Sequence, residues 1–388
     1  MDTVLIDLTL VVVFAAALSW LAVLARQPII LAYILCGVVV AHLFRMEQTF
    51  LRDLSHVGVT LLLFLAGIAL HPHRLVQLFR QTMPVTLTVC AVSAGLSFGI
   101  ALAWGFGPAD SALVGLALMF SSTILVVKLL PTRTLHHDRM GAMCIGILVA
   151  QDLMAVAALV VLRIAYAPGA ATRTASRVAI MIVGGIGLVP AALLFEQFVL
   201  RRVLRTVYRF PETAHLVALA WCLGVGAAAK ALGFSYELGG FVAGIALARC
   251  AVAEVLFEGL RTLRDFFLIL FFFALGARLD LAAVVSVLAP AAAIAAALIL
   301  VKPIVFHLMF RIVGETRAFA SEAGLRLGQA SEFGLIIIAL IALELGVAER
   351  RLNELVVVAT LLTMIISSYI VVFRYPTPMG TRDRLRVD

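Results

Sequence analysis

Long apolar segments, separated by short polar or basic stretches, follow one another along almost the whole chain. A helix needs about 20 predominantly apolar residues to cross a bilayer, or somewhat fewer when it is tilted or enclosed by protein. By that criterion the pattern predicts about thirteen transmembrane helices, at residues 3–24, 28–43, 55–70, 83–104, 111–130, 140–163, 176–200, 212–230, 234–250, 262–283, 284–310, 319–346 and 352–373. The sequence therefore predicts an all-α polytopic membrane domain over residues 1–374 and a short basic tail over residues 375–388.

Composition supports the same class of protein. Of the 388 residues, 63% are hydrophobic and only 13% are charged, and the mean hydropathy is +1.12. A soluble domain cannot hide so much apolar surface from water with so few charges. The net charge of +8 comes from basic residues that lie between the apolar segments, so it indicates membrane topology rather than nucleic-acid binding. Membrane lipids are an expected partner, and nucleic acid is not.

The basic residues also predict an orientation. If the C-terminal tail is inside, an odd number of spans places the N-terminus outside, and the inner loops then hold twice as many arginines and lysines as the outer loops. Such an excess is typical of cytoplasmic loops. We therefore expect a multi-pass protein of a bacterial inner membrane. No loop is long enough for a soluble domain, so we expect the function to be carried out within the membrane.

A polar pair, Gln151-Asp152, lies near the middle of the sixth predicted span, and Asp152 is the only acid between residues 140 and 162. A carboxylate at this depth costs roughly 2.5–3.5 kcal/mol on insertion-based scales, and it usually faces the bundle interior or a wet cavity. Asp152 is therefore a candidate ion or proton site. Lys302 follows a long apolar run in the eleventh span. It can snorkel to an interface, but apolar residues on both sides favour a pair with Asp152 across the bundle.

Three consecutive hydroxyl residues, Ser121, Ser122 and Thr123, interrupt the fifth predicted span. Each hydroxyl alone can bond back to a carbonyl one turn earlier, which is common in membrane helices. Three together favour a locally unwound helix, whose free carbonyls and helix ends can coordinate a cation. We interpret them as candidate cation ligands together with Gln151 and Asp152.

A second interruption is predicted in the twelfth span, where glycine and polar residues break the apolar run between residues 324 and 334. It contains Gln329, Ser331 and Glu332, and Arg326 precedes it. An arginine and a glutamate inside a membrane each require a partner. The expected role is an ion pair or a capping pair that stabilises the break, and direct contact with the ion is the alternative.

The two predicted breaks occupy corresponding places in the two halves of the chain. Because the broken spans are the fifth and the twelfth, spans four to six and eleven to thirteen form matching triplets of opposite orientation. Inverted repeats of this kind are typical of secondary transporters, whose binding sites lie at the repeat interface.

Seven sequence blocks, taken in order, resemble the membrane domain of Kef-type potassium:proton antiporters of the cation:proton antiporter-2 family. They are RQPIILAYILCGVVVA (26–41), LSHVGVTLLLFLAGIAL (54–70), MFSSTILVVKLL (119–130), GILVAQDLMAV (146–156), LGGFVAGIALA (238–248), LFFFALGARLDL (270–281) and LGQASEFGLII (327–337). The resemblance implies the sodium/proton antiporter fold, with two crossed, broken helices at residues 121–123 and 328–332. It places the family's ion-binding motif on Gln151 and Asp152 and its basic residue on Lys302. It also implies a homodimer in which a core domain moves against a dimerisation domain.

Two features depart from the family pattern. The third span closes with the residues GIAL at 67–70, where family members often carry an acid. Many members also have a C-terminal nucleotide-binding regulatory domain, whereas this sequence ends shortly after its last span. We therefore expect constitutive exchange or a separate regulatory subunit.

The predicted function is secondary active antiport, in which a monovalent cation and a proton compete for Asp152. The resemblance favours K⁺, although the same oxygen donors would also serve Na⁺. A cation channel would use the same polar midplane, but the sequence has no filter-like series of carbonyl-rich segments. A non-transporting membrane sensor is a further alternative. No nucleophile motif or metal cluster indicates an enzyme, and we expect no cofactor besides the transported ions.

Overall fold

The structure is a computed structural model, and it describes residues 2–25, 29–44, 48–69, 72–131, 139–166, 187–232, 234, 236–250, 252–277, 279–341 and 350–377. Within these ranges the chain is almost entirely helical. The helices are α1 (Asp2–Leu24), α2 (Ile29–Phe44), α3 (Gln48–Ala69), α4 (Pro72–Ala103), α5 (Pro108–Leu118), α6 (Thr123–Leu129), α7 (Arg139–Tyr166), α8 (residues 187–207), α9 (Pro211–Ala231), α10 (Tyr236–Leu247), α11 (Ala253–Ala277), α12 (Leu281–Ile312), α13 (Arg317–Arg326), α14 (Glu332–Leu340) and α15 (Arg350–Arg374).

These helices confirm the prediction of an all-α polytopic membrane protein. Among the described residues, six helices are long and apolar enough to cross a membrane, and shorter apolar helices lie between them. Each predicted span coincides with a helix or with a pair of helices separated by a break. The first part of the seventh predicted span, residues 176–186, and most of the tail lie outside the described residues.

The boundary between the tenth and eleventh spans differs from the prediction. α11 ends at Ala277 and α12 begins at Leu281, whereas the tenth span was predicted to continue past this point. The Asp280 carboxylate accepts hydrogen bonds from the backbone N–H groups of Ala282 and Ala283, at 3.0 and 3.4 Å. Such an N-cap satisfies donors that a helix start leaves without an intrahelical partner. The apolar residues on both sides conceal this cap in a hydropathy pattern.

The chain divides into two compact units. The first unit consists of Met1–Ala16, Tyr33–Arg74 and Arg163–Arg278, and the second of Ala17–Ala32, Leu75–Leu162 and Leu279–Asp388. Spans four to six and eleven to thirteen both fall in the second unit. The two predicted triplets therefore belong to one compact body, although they are far apart in sequence.

One apolar cluster joins the two triplets inside the second unit. It contains buried side chains from α4, α6, α7, α12 and α13 and from Leu327, which follows α13; among the others are Val85, Val126, Met143, Ile147, Phe306, Phe310 and Ala323. The rings of Phe306 and Phe310 stack with their centroids 5.9 Å apart. Within a bilayer such contacts stabilise a bundle through close packing, since lipid tails are as apolar as the side chains. The cluster holds the helices that carry both breaks.

In the first unit, glycines allow α3 and α10 to touch along their backbones. A Cβ atom on Gly67 would lie 2.5 Å from the carbonyl oxygen of Phe241 and 2.9 Å from the Cα atom of Gly244. Small residues at a helix interface permit this close approach in membranes. Gly67 lies in the segment where the resembled family often carries an acid, and here Gly67 itself serves helix packing.

Candidate ion-binding site

Both predicted helix breaks are present, and both lie in the second unit. The first separates the end of α5 at Leu118 from the start of α6 at Thr123, and the second separates α13 at Arg326 from α14 at Glu332. Each break leaves one helix C-terminus and one helix N-terminus inside the protein. Four half-helix ends therefore supply partial charges to the site, negative at the C-termini and positive at the N-termini.

A serine begins the second half of each broken span. The hydroxyl of Ser122 accepts a hydrogen bond from the Leu125 N–H, and the hydroxyl of Ser331 accepts one from the Phe333 N–H, both at 3.1 Å. Both serines have extended backbones, which is the usual conformation of an N-cap. Ser122 and Ser331 therefore define where the helices resume, which is a structural task within the candidate site.

The two breaks contact each other directly. The Ser121 hydroxyl donates to the carbonyl oxygen of Leu327 at 2.8 Å. The side-chain amide of Gln329 donates a longer bond, 3.5 Å, to the carbonyl oxygen of Ser122. These residues are more than 200 positions apart in sequence, so the contacts are tertiary. The alternative that the Ser121 hydroxyl bonds back within its own helix is not observed.

The half-helices on either side of the breaks show that the broken spans cross. α14 lies directly against α5, because a Cβ on Gly334 would overlap the carbonyl group of Ala117. At the far side of the breaks, the Arg326 guanidinium at the end of α13 donates to the carbonyl oxygen of Leu129 at the end of α6, at 2.6 Å. The first half of one span thus packs beside the second half of the other, as expected for crossed helices.

Lys302 on α12 lies between the C-terminal ends at the two breaks. Its ammonium group donates to the carbonyl oxygen of Phe120 at 2.7 Å and to that of Gln329 at 3.0 Å, and the residue is 1% exposed. Gly324 on α13 lies against the backbone carbonyl of Pro303, the neighbour of Lys302, and Gly328 at the second break lies against the Pro303 ring. The positive charge is therefore placed where two helix C-termini concentrate negative partial charge.

This position corrects one expectation from the sequence. Among the ion pairs of the described residues, none joins Lys302 to Asp152. The ammonium group is instead held by carbonyl oxygens that the helix breaks leave available. A hydropathy pattern shows acids and bases but cannot show backbone acceptors of this kind. Lys302 and Asp152 therefore serve different half-helix ends in this conformation.

Gln151 is fully buried, and its amide is fixed by the first break. Its Oε1 atom accepts a hydrogen bond from the backbone N–H of Ser121 at 2.8 Å. Its Nε2 group donates to the sulfur of Cys90 at 3.6 Å, and the Cys90 thiol in turn lies 3.9 Å from the carbonyl oxygen of Met119. Gln151 thus ties α7 to the unwound segment, and Cys90 helps to orient the amide.

Asp152 differs from Gln151 because its side chain is only partly buried. Its two carboxylate oxygens lie 3.3 and 3.4 Å from the hydroxyl of Thr123, which donates to them. Thr123 is the first residue of α6, so the carboxylate faces a helix N-terminus. Glu332 is the first residue of α14, at the second break. The acids therefore lie at the helix N-termini, where the helix dipole favours negative charge.

Arg326 has a structural ion pair, as one of the two interpretations expects, but with a different partner. Its guanidinium donates to the Glu322 carboxylate at 2.7 Å. It also donates to the carbonyl oxygen of Pro376 at 2.8 Å and lies 5.7 Å from the ring centroid of Tyr375. Arg326 thus connects the end of α13 to the segment after α15, and Glu332 is not its counter-charge.

Hydroxyl groups on α15 support the second break, and the sequence pattern gives little indication of them. The Thr363 hydroxyl accepts a hydrogen bond from the Ala330 N–H at 3.0 Å. The Ser367 hydroxyl donates to the Oε1 atom of Gln329 at 3.2 Å. The spacing of four residues places both hydroxyls on one face of α15, and this spacing was the available sequence signal. Gln329 is consequently held from two sides.

A family comparison agrees with this architecture. The family model described as "Sodium/hydrogen exchanger, transmembrane" matches residues 9–373. The chain belongs to the sodium/hydrogen exchanger family. Its members are transporters, and the resemblance to cation:proton antiporters inferred from the sequence blocks is confirmed.

Curated relatives of this exchanger-family chain carry two kinds of name. It is 26% identical over 357 residues to "Iron transporter MagA" of Paramagnetospirillum magneticum, covering 89% of this chain and 79% of that protein. It is 28% identical over 291 residues to "Glutathione-regulated potassium-efflux system protein KefC" of Cronobacter sakazakii, covering 73% of this chain and 46% of that protein. The chain thus spans about half the length of the KefC relatives it matches.

Solved structures confirm the antiporter fold. The sodium proton antiporter MjNhaP1 from Methanocaldococcus jannaschii at pH 8 superposes with a TM-score of 0.68 over 94% of this chain and 95% of that one. The sequence identity is 11%, so the similarity concerns the fold alone.

The structure brings most of the predicted site residues into one cluster. Lys302, Gln329 and the first break are joined by hydrogen bonds, and Gln151 and Asp152 approach the same break from α7. Arg326 lies at the far end of the crossing, with partners of its own. Their roles in transport remain predictions.

The crossing itself can be tested at Gly334. We expect Gly334→Ala to destabilise the protein by about 1–3 kcal/mol, because the added Cβ would overlap the Ala117 carbonyl and push α14 away from α5. Gly99→Ala on α4 is the matched control, since no atom beyond the adjoining turns of its own helix lies within 4 Å of its Cβ position. Thermal unfolding followed by tryptophan fluorescence would compare the two variants. Equal melting temperatures would contradict close contact at the crossing.

Proposed function

We propose that the chain exchanges a monovalent cation, K⁺ in the first instance, for protons, and that both ions compete for Asp152. The observation that carries this proposal is the placement of the half-buried residue Asp152 beside the first helix break, with its carboxylate in contact with the Thr123 hydroxyl. Burying an ionised carboxylate in a membrane is costly unless a cation or a proton compensates its charge. Either ion neutralises Asp152, but both cannot do so at once.

Competition of this kind supports coupling between the two fluxes. A neutralised site crosses a low-dielectric barrier more easily than a charged one, because desolvation penalises the bare carboxylate. Asp152 would therefore change sides only when it is loaded with the cation or with a proton. The cation then moves in one direction and the proton in the other.

The donors at this place favour a hard cation. The carboxylate of Asp152 and the hydroxyl of Thr123 are oxygen ligands, and breaks in helices also supply carbonyl oxygens. Gln151 and Ser122 support the site differently, because the Oε1 atom of Gln151 and the hydroxyl of Ser122 are already bonded to backbone N–H groups. We propose that they position the break, while Asp152 and Thr123 contact the ion. Glu332 is placed to adjust the local charge.

The identity of the exchanged cation can be tested by supplying different cations separately. The KefC relatives are named for potassium, the family for sodium, and MagA for iron. Reconstituted vesicles with an internal pH dye and an imposed pH gradient would receive K⁺, Na⁺, Li⁺ or Fe²⁺ separately. We expect K⁺ to dissipate the gradient at lower concentration than Na⁺. A response to Na⁺ or Fe²⁺ but not to K⁺ would contradict the assignment of K⁺.

A channel and an exchanger respond to different driving forces, namely the K⁺ gradient and the proton gradient. With equal K⁺ concentrations on both sides, a proton gradient should drive uphill K⁺ accumulation through an antiporter. A channel would give K⁺ currents that follow the K⁺ gradient and ignore the proton gradient. A sensor would give neither flux.

We also propose how the protein assembles and how it is oriented in the membrane. The family resemblance supports a homodimer in a bacterial inner membrane. The excess of basic residues in alternate loops supports a C-terminus on the cytoplasmic side and an N-terminus outside. Cysteine-accessibility labelling of single-cysteine variants at both ends of the chain would test the orientation.

A further inference from the structure

A small basic cavity lies in the first unit, between the last part of α8 and the segment that joins α10 to α11. It has a volume of about 140 Å³ and is lined by Arg201, Leu204, Arg205, Arg249, Cys250 and Val252. A cavity needs about 10–15 Å³ of such volume to admit one water molecule, so this cavity has room for a small anion. Three of the six lining residues are arginines.

The cavity has an uncompensated positive charge. Glu196 neutralises Arg201, since Nε and Nη2 of the arginine donate to the two carboxylate oxygens at 3.1 and 3.4 Å. Arg205 and Arg249 have no acidic partner among the described residues. Two guanidinium charges therefore remain for a ligand, and Arg201 still has its Nη1 group.

Local backbone geometry fixes the third arginine in place. Residues Glu196–Leu200 form a π-helical turn, and the Arg201 N–H donates to the Glu196 carbonyl oxygen. The wider turn aligns residues five apart, which an α-helix would not place on one side. Glu196 is 0% exposed and also accepts from the Cys250 thiol at 3.1 Å. A π-turn within a helix is frequently found at a functional site, and this one joins both walls of the cavity.

We propose that this cavity binds a phosphate-type anion, held by Arg205 and Arg249 and oriented by Arg201. Guanidinium groups present planar donor pairs that match the oxygens of phosphate, and they remain charged at any physiological pH. The phosphate can belong to an anionic lipid headgroup or to a soluble phosphate compound, because the cavity recognises the group that both share. The proposal is independent of the transport proposal, since it concerns residues outside the second unit.

A purely topological role for these arginines makes a different prediction. Basic residues near helix C-termini favour the helix dipole and the cytoplasmic side of a membrane. In that case the neighbouring Arg202, which is exposed as Arg205 is but does not line the cavity, would be equivalent to Arg205. A specific anion site requires the cavity residues and not Arg202.

The test measures saturable stabilisation of the full-length protein. Detergent-solubilised protein would be unfolded thermally in increasing inorganic phosphate, against chloride at matched ionic strength. A second series would add phosphatidylglycerol or, as its neutral control, phosphatidylcholine. A bound anion raises the melting temperature with a saturable dependence on its concentration. We expect Arg205→Gln and Arg249→Gln each to shift the dependence to about tenfold higher concentration, the equivalent of one charge-assisted hydrogen bond.

Arg202→Gln is the matched control, since it removes the same charge from the same helix, and it should leave the dependence unchanged. Stabilisation by inorganic phosphate alone would identify a soluble ligand, and stabilisation by phosphatidylglycerol alone would identify a lipid headgroup. Both outcomes support the site. The proposal is overturned if neither probe stabilises the wild type saturably, or if the Arg205 and Arg249 variants respond as Arg202→Gln does. Two separate cavity variants keep the test valid if one of them fails to fold.

Discussion

Asp152→Asn is expected to reduce cation:proton exchange to the level of protein-free vesicles. Asparagine keeps the size of the side chain but cannot carry the charge that a cation or a proton would neutralise. The Thr123 hydroxyl can still bond to the amide oxygen, so the first break should keep its geometry. The measurement is the dissipation of a pH gradient in vesicles after K⁺ addition.

Stability separates this result from misfolding. Removing a carboxylate from the membrane interior relieves a desolvation cost, so the melting temperature of Asp152→Asn should equal or exceed that of the wild type. Asp152→Glu keeps a titratable carboxylate and should retain part of the exchange. Asp110 lies in the first turn of α5, at the end of that helix that is far from the first break. Asp110→Asn is therefore the matched control, and it should exchange normally. Full exchange by Asp152→Asn would refute competition at this residue.

The sequence allowed a good prediction of the fold because its two strongest signals have simple physical causes. A bilayer imposes a minimum apolar length on each helix, so apolar runs located the spans. Three hydroxyls at 121–123 and the cluster of glycine and polar residues at 324–334 located both breaks, since such residues weaken a helix in an apolar setting. The start of α12 was predicted at residue 284 instead of Leu281, because the capping residue Asp280 is a single acid beside long apolar runs.

The site was predicted less completely, and the reason lies in the backbone. Asp152, Gln151 and Lys302 were found because charged and amide groups are rare within apolar spans. Lys302 was predicted to pair with the Asp152 side chain and Gln151 to bind the cation, yet Gln151 bonds to a backbone N–H and Lys302 to two backbone carbonyls. Unwinding two helices creates these backbone partners. A pattern of side chains alone cannot reveal which carbonyl or N–H group will be left available.

The backbone partners of Lys302 make its side chain important for the stability of the protein. Lys302→Met should lower the melting temperature, because the carbonyl oxygens of Phe120 and Gln329 would lose their donor and two helix C-termini would lose the compensating charge. Two charge-assisted hydrogen bonds contribute about 1.5–3 kcal/mol each, offset in part by the relief of burying an ammonium group. Lys230→Met at the exposed end of α9 is the matched control, and it should change the melting temperature little.

A double-mutant cycle with Asp152→Asn then distinguishes the two possible partners of Lys302. If the ammonium group is held by the carbonyl oxygens, the effects on unfolding free energy should add to within about 0.5 kcal/mol. If Lys302 and Asp152 instead form a pair in the dominant state, removing either would leave an uncompensated charge, and removing both would cost less than the sum. Coupling well above 0.5 kcal/mol would therefore contradict the carbonyl-held lysine. Additivity would mean that cation entry at Asp152 does not require an ion pair to break first.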